Sequence, residues 1–196
     1  MRERDPNKEQ IIRHNAIEMI VKDGFDGLSM QKLAKKSNVS PATIYIYFKD
    51  RNDLIEQLAI DSANALVAHT FKGFSPDMTF AQGMKIQWQN RADFFIAHPI
   101  QAKFMEQVKH SPVGVLVHQK IKKEFSIVMR DFILKAIKNK ELIKLPIEIF
   151  WSLAFAPLYQ LIKFHNDGYG LHHEPFVLTK AILNRTLKIT LKGLKP

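Results

Sequence analysis

The stretch from Leu28 to Leu54 constrains this chain more than any other. It holds two short helical patterns with only a few residues between them. Ser29 is a good N-cap, and Met30, Leu33 and Ala34 then recur at helical spacing. Asn38 falls where that helix must stop, and asparagine tolerates the left-handed backbone of a tight turn. Ser40 and Pro41 restart a helix: a capping hydroxyl, then a residue whose missing N–H costs nothing in the first turn. Cap, helix, turn, cap, helix is the layout of a helix-turn-helix.

The second helix divides into faces at about 100° per residue. Ile44 and Phe48 fall together and should enter a small core. Ala42, Thr43 and Ile46 lie on the opposite side, with Tyr45 and Tyr47 on its two edges. A helical hairpin buried against the rest of the chain would not need such an outer face. A DNA major groove suits it, since methyl groups can touch thymine while tyrosine hydroxyls, Lys49 and Arg51 reach phosphates. Between Leu28 and Asn52, Lys32, Lys35, Lys36, Lys49 and Arg51 are opposed only by Asp50, so the local field is positive. Ser29, Lys32 and Ser40 complete the set of expected DNA-binding positions.

These residues resemble the TetR family of bacterial transcriptional regulators. The shared pattern is carried by Ser29, Leu33-Ala34, Ser37-Asn38-Val39-Ser40, Ala42-Thr43-Ile44-Tyr45, Tyr47-Phe48, Arg51 and Leu54. Three positions depart from it. Asn38 replaces the turn glycine, Ala42 adds a methyl where glycine is usual, and Arg51 keeps a lysine's charge with a different geometry. The resemblance implies a DNA-binding regulator, read here as a repressor, acting as a dimer on a palindromic operator.

Composition bounds the rest. The chain has no cysteine, which excludes a disulfide framework and a thiolate zinc site. No apolar run approaches a membrane span and the N-terminus lacks an apolar signal region, so a cytoplasmic protein is expected. The formal charge is +10. Residues 1–53 carry ten basic and eight acidic side chains, and the remainder carries nineteen and eleven, so most of the excess lies outside the motif. That downstream excess suits either an anionic ligand or a solvated lysine-rich surface.

Taken in order, Arg2 and Arg4 form a short mixed-charge arm, and Asp5-Pro6 can start a first helix striped by Ile12, Ala16, Met19 and Ile20 and stopped at Gly24. Three helices make a unit too small to be very stable alone, so it should lean on the helices that come after it. A connecting helix carries Leu54, Ile55, Leu58, Ala65 and Leu66 toward Phe71. Further helices are expected over Phe80–Ala97, around Phe104 to His110, and from Ser111-Pro112 to Lys138, with Lys120, Lys122 and Lys123 on a solvated side and Ile121 and Phe125 inward. Pro146 opens a helix apolar all round, bent at Pro157, and a last helix runs from about Glu174. The fold class is all-α, with about nine helices: a DNA-binding domain over residues 1–53 and an effector-binding and dimerisation domain over 54–196.

The last two helices are too apolar to be covered easily by one chain, which marks a subunit interface. The resemblance implies that they pair with their mates in a four-helix bundle, with Ala154, Leu158, Leu183 and Leu187 as interface positions in a homodimer. It also implies a small effector held by the middle helices. Trp88, Phe95, Phe104, Met105, Phe125, Met129, Trp151, Phe155 and Tyr159 would line that cavity, although the same spacing suits plain core. Methionine-rich walls favour a bulky apolar or amphipathic effector, with His98, His118 and Asn90 as polar candidates.

Neither a cofactor nor a metal is expected. The eight histidines are scattered, and there is no phosphate loop or nucleophile elbow, so the chain does not read as an enzyme. Two other readings remain: a DNA-binding protein without effector control, and a small-molecule carrier whose helix-turn-helix is vestigial.

Overall fold

A computed structural model describes residues 5–196, apart from the side chains of residues 118 and 121–125. Arg2 and Arg4 therefore lie outside the described residues, as do the side chains of His118, Ile121, Lys122, Lys123 and Phe125. The described residues form ten helices: α1 (Pro6–Gly27), α2 (Met30–Lys36), α3 (Pro41–Tyr47), α4 (Arg51–Thr70), α5 (Phe80–Ala97), α6 (Pro99–Lys109), α7 (Pro112–Lys138), α8 (Ile147–Ala154), α9 (Ala156–Asp167) and α10 (Lys180–Gly193). Among them a lone antiparallel bridge, Tyr169 to Pro175, is the one β feature. No helix is long and apolar enough to cross a membrane, among the residues described.

The count exceeds the expected nine because Pro157 breaks its helix rather than bending it. Phe155 leaves helical geometry at φ −129° and ψ −29°, ending α8 and starting α9. Proline has no N–H for the carbonyl four residues back, and its ring crowds that carbonyl. The last helix also starts later than Glu174. Residues 168–178 turn back on themselves, with the Gly170 amide donating to the Glu174 carbonyl at 2.9 Å and the Phe176 amide to that of Gly168 at 3.0 Å. Pro175 holds Glu174 out of the helical region, and Thr179 supplies the cap, its hydroxyl accepting from the Ile182 amide.

The chain divides into two compact units that are not contiguous in sequence: Met1–Ala65 with Ile100–Lys122, and Leu66–Pro99 with Lys123–Pro196. In the first, Asp5 caps α1, and Gly24 at φ 72° kinks that helix before it ends at Gly27. Ile12, Ala16 and Ile20 meet Leu33, Ile44, Phe48, Leu54 and Leu58 in one buried cluster. Phe104 and Val108 of α6 complete it, which is how three short helices acquire enough apolar burial. Each such side chain stabilises the unit by about 1.5–3 kcal/mol.

The second unit is built on aromatic rings. The Trp88 indole is fully buried and donates to the Ala154 carbonyl at 2.8 Å. Phe132 stacks on Phe80 at 5.8 Å between centroids and meets Phe74 edge-on at 5.1 Å. Helix α5 begins with a full capping box between Thr79 and Gln82. α10 packs against α5, α8 and α9.

Candidate nucleic-acid interface

Helices α2 and α3 are each fixed at their starts by a serine. The Ser29 hydroxyl accepts from the Lys32 amide and the Ser40 hydroxyl from the Thr43 amide, both at 3.2 Å. Asn38 takes φ 53°, and the Val39 amide returns to the Ala34 carbonyl at 3.0 Å, closing the turn. Asn15 of α1 donates to the Ser37 hydroxyl at 3.1 Å, and Lys36 pairs with Glu18 at 2.8 Å, clamping the end of α2 to α1. Lys36 beside it holds the Glu18 carboxyl below the ordinary range, with His14 adding to the effect.

Of the expected contact positions on and beside α3, Ser40, Ala42, Tyr45 and Lys49 are exposed, Tyr45 by 53 %. Lys32 on α2 is exposed as well, and Ser29 is half-buried at its cap. Thr43 is half-buried with its hydroxyl 2.9 Å from that of Ser40.

Three expectations need correction. Tyr47 does not edge the outer face: it is 8 % exposed, and its hydroxyl accepts from the Asp5 amide at 2.9 Å and donates to the Asp5 carbonyl at 3.1 Å. Three residues beyond Ile44, it lies only roughly 60° around the helix from that core position. Ile46 does not point clear of its own core but packs, half-buried, on the rim of the cluster. A two-turn helix is narrow enough for a side chain of that length to fold back. Arg51 is not extended toward solvent. Its Nε donates to the Leu28 carbonyl at 2.8 Å and its Nη2 to that of Phe25, which also accepts the Leu28 amide at 3.2 Å, so the side chain braces the end of α1.

Behind α3 lies a network that the motif alone did not reveal. Arg13 pairs with Glu9 and Asp61 at 2.8 Å each, donates to Gln57 at 3.1 Å, and stacks 5.1 Å from the centre of the Phe48 ring. Gln57 donates to Asp53, which also accepts from the Lys49 amide at 2.8 Å. Asp50 in turn accepts from the Asp53 amide at 2.9 Å, so the α3–α4 turn is held from both sides. The Gln57 amide, then the Lys49 N–H, hold the Asp53 carboxyl below the ordinary range. The signal was present in Asp50 and Asp53 at capping spacing ahead of an apolar run.

The residues read as a cavity lining divide between the units. Phe104 is fully buried in the first unit's core cluster and Met105 packs against it, so neither is a free wall there. Trp88, Phe95, Met129 and Phe155 are buried in the second unit. There Trp151 stacks on Tyr159 at 6.2 Å and leans on Phe155 at 4.8 Å. Phe125 falls outside the described side chains, as does His118. His98 is exposed against the Phe94 ring, and Asn90 donates to the carbonyls of Thr70 and Lys72, closing the end of α4. The four interface positions are also corrected. Ala154, Leu158, Leu183 and Leu187 all pack inside their own unit. At helical spacing they form the inward stripe, and the exposed apolar residues are Ile147, Ile149, Trp151 and Leu153 on α8 and Ile189 on α10.

Residues 12–58 match the family model described as bacterial regulatory proteins, tetR family. An uncharacterized HTH-type transcriptional regulator of Haemophilus influenzae is 32 % identical over 94 residues, 48 % of this chain and 50 % of that protein. A fatty acid metabolism regulator protein of Bacillus subtilis is 36 % identical over 58 residues, 30 % of this chain and 29 % of that protein. The chain thus matches half or less of the length of these curated relatives. Two crystal structures of TetR-family regulators carry the fold. That from Marinobacter aquaeolei covers 100 % of this chain and 99 % of its own at TM-score 0.79 and 20 % identity. That from Haemophilus influenzae covers 97 % of each chain at 0.76 and 24 %.

Residues 12–58 carry the DNA-binding region of the TetR family. The TetR-type match spans α1 from Ile12 through α2 and α3 into α4, and so takes in Arg13, Asp53 and Gln57 as well as the two reading helices.

Proposed function

We propose that this chain is a ligand-responsive, DNA-binding transcriptional regulator of the TetR family, a repressor, that binds a palindromic operator as a homodimer in the cytoplasm. Residues 1–53 form the reading head, and 54–196 hold the effector and the dimer contacts. The observation that carries this is the outer side of α3. Ala42 and Tyr45 are exposed there on the serine-capped α3 and Lys49 in the turn after it, and the Thr43 hydroxyl is paired with that of Ser40. In this reading Ala42 and Thr43 face base edges, while Lys32, Tyr45 and Lys49 with Ser29 and Ser40 meet phosphates. A bulky apolar or amphipathic effector bound in the second unit shifts the two heads relative to their half-sites, and it acts only through the difference in its affinity for the two arrangements.

The test is selection of bound sequences from random duplexes by the full-length protein, then salt titration on the winner. The expected result is a two-fold symmetric site with half-sites roughly 34–36 Å apart, or a multiple of that. Affinity should fall linearly on a log-log plot against salt. Recovery of no preferred sequence would favour the carrier reading, and a preferred sequence whose binding no small molecule alters would favour a regulator without effector.

A further inference from the structure

The end of α3 is held by a chain of side-chain contacts that starts on α1. Gln57 of α4 is its middle link, accepting from Arg13 Nη2 at 3.1 Å and donating through Nε2 to both carboxylate oxygens of Asp53 at 3.0 Å each. Asp53 Oδ2 in turn accepts from the Lys49 amide at 2.8 Å. Arg13 is itself fixed by Glu9 of α1 and Asp61 of α4, one on each of the helices it joins. Its guanidinium also lies 5.1 Å from the centre of the Phe48 ring, which is buried. Two consecutive residues, Phe48 and Lys49, are thus held by one connected set, the first through its ring and the second through its main-chain N–H.

The set is directional. An amide side chain offers an acceptor at one end and donors at the other. Turned over, Gln57 would place its NH2 against the Arg13 guanidinium and its oxygen against the Asp53 carboxylate, so its two partners lock it one way round. The ion pairs of the set contribute little stability, because Arg13 is only half-buried and Asp61 is exposed. What they fix is geometry. α3 is seven residues long, too short to keep its own direction, and the Ser40 cap anchors its start. Phe48, at φ −128° and ψ 132°, is where the chain leaves that helix, and the contacts from Arg13 set the direction in which it leaves. Lys49, the next residue, is exposed.

We infer that Arg13, Gln57 and Asp53 are positioning residues for DNA recognition, an inference that rests on the DNA-binding reading and deepens it. They act through the main chain of Phe48 and Lys49, holding α3 at one angle and the Lys49 ammonium at one place against a phosphate. Phosphate contacts fix the register of a reading helix, and a recognition site is only as well placed as the groups that support it.

The experiment uses the full-length protein, the selected duplex and a random duplex of the same length, with affinity measured across a salt series and melting temperature measured in parallel. Gln57→Leu removes both ends of the middle link. It should weaken binding to the selected duplex about tenfold and make the salt slope smaller by about one, with a melting temperature within a few degrees of wild type. Arg13→Lys, which keeps the charge and loses the fork, should weaken the selected duplex severalfold. Lys49→Ala lowers the slope by itself, so adding Gln57→Leu to it should lower the slope no further. A purely structural role would not produce that pattern. Should Gln57→Leu fail to fold, Gln57→Met keeps the side chain's length and takes its place. Wild-type affinity and slope in the Gln57 and Arg13 variants would overturn the inference, and so would a slope that falls again in the double variant or stays unchanged in Lys49→Ala. The wild type separates the two failures. If it binds the selected duplex in a salt-dependent way while the Gln57 and Arg13 variants match it, positioning alone is lost, whereas a wild type that binds no duplex removes the regulator reading beneath it.

Discussion

At Arg51 the guanidinium donates to the carbonyls of Leu28 and Phe25, so truncation takes a charged donor from each, leaving Phe25 the Leu28 amide alone. Arg51→Ala should therefore destabilise the first unit by about 1–3 kcal/mol, seen as a lower denaturant midpoint, and should leave the salt slope of DNA binding unchanged. Lys49→Ala should do the reverse, with stability intact and a salt slope smaller by about one. Thr43→Ala is a third kind of change, costing about 1–3 kcal/mol on the selected operator and little on random duplex. A flatter salt slope in Arg51→Ala would return that residue to the phosphates. Asp53 gives a pH-dependent signature. Its carboxyl is held below the ordinary range by Gln57 and by the Lys49 amide. A depressed carboxylate contributes stability that is complete above its unfolded value, about pH 4, and is lost as pH falls through the folded value. Asp53→Asn should be less stable than wild type at pH 6, and urea unfolding should show the gap closing as pH drops below about 4. A gap that stays constant to pH 2 would show that the charge is irrelevant.

Between elements, the features legible in the sequence were those decided locally. Ser29, Asn38, Ser40 and Pro41 fix α2, the turn and α3 through caps and backbone preferences that act within four residues, and Ile44 and Phe48 fall inward as their spacing dictates. The partners of Arg51, the Asp5 clamp on Tyr47 and the burial of Phe104 in the first unit join segments 23, 42 and more residues apart, and no periodicity encodes them. Gly83 shows how tightly α5 meets α7, since a Cβ there would stand 2.4 Å from Cζ of Phe132. Alanine favours a helix over glycine by about 1 kcal/mol, yet Phe132 is wedged between Phe74 and Phe80 and cannot retreat. Overpacking of that kind costs about 1–3 kcal/mol. Gly83→Ala should therefore lower the melting temperature, and adding Phe132→Leu should recover part of the loss. A raised melting temperature in the single variant would show that the ring has room.

For the molecule as a whole, the decisive surface lies on α8 and α10. Ala154, Leu158, Leu183 and Leu187 already serve their own unit, so a charge at any of them should unfold it and say nothing about assembly. Ile147, Ile149 and Leu153 on α8 and Ile189 on α10 are between 46 and 63 % exposed, and a run of that kind on a free surface marks a contact with another chain. A two-fold pairing would cover each of them twice, and each fully covered side chain adds about 1.5–3 kcal/mol. The wild type should then sediment near twice 22.7 kDa without DNA, and its melting temperature should rise with protein concentration. Leu153→Asp with Ile189→Asp should give folded monomers, because neither side chain supports the core of its own unit, and operator affinity should fall as the two heads lose their tether. Wild-type protein that is monomeric and fully folded at micromolar concentration would falsify the pairing, and with it the symmetric operator.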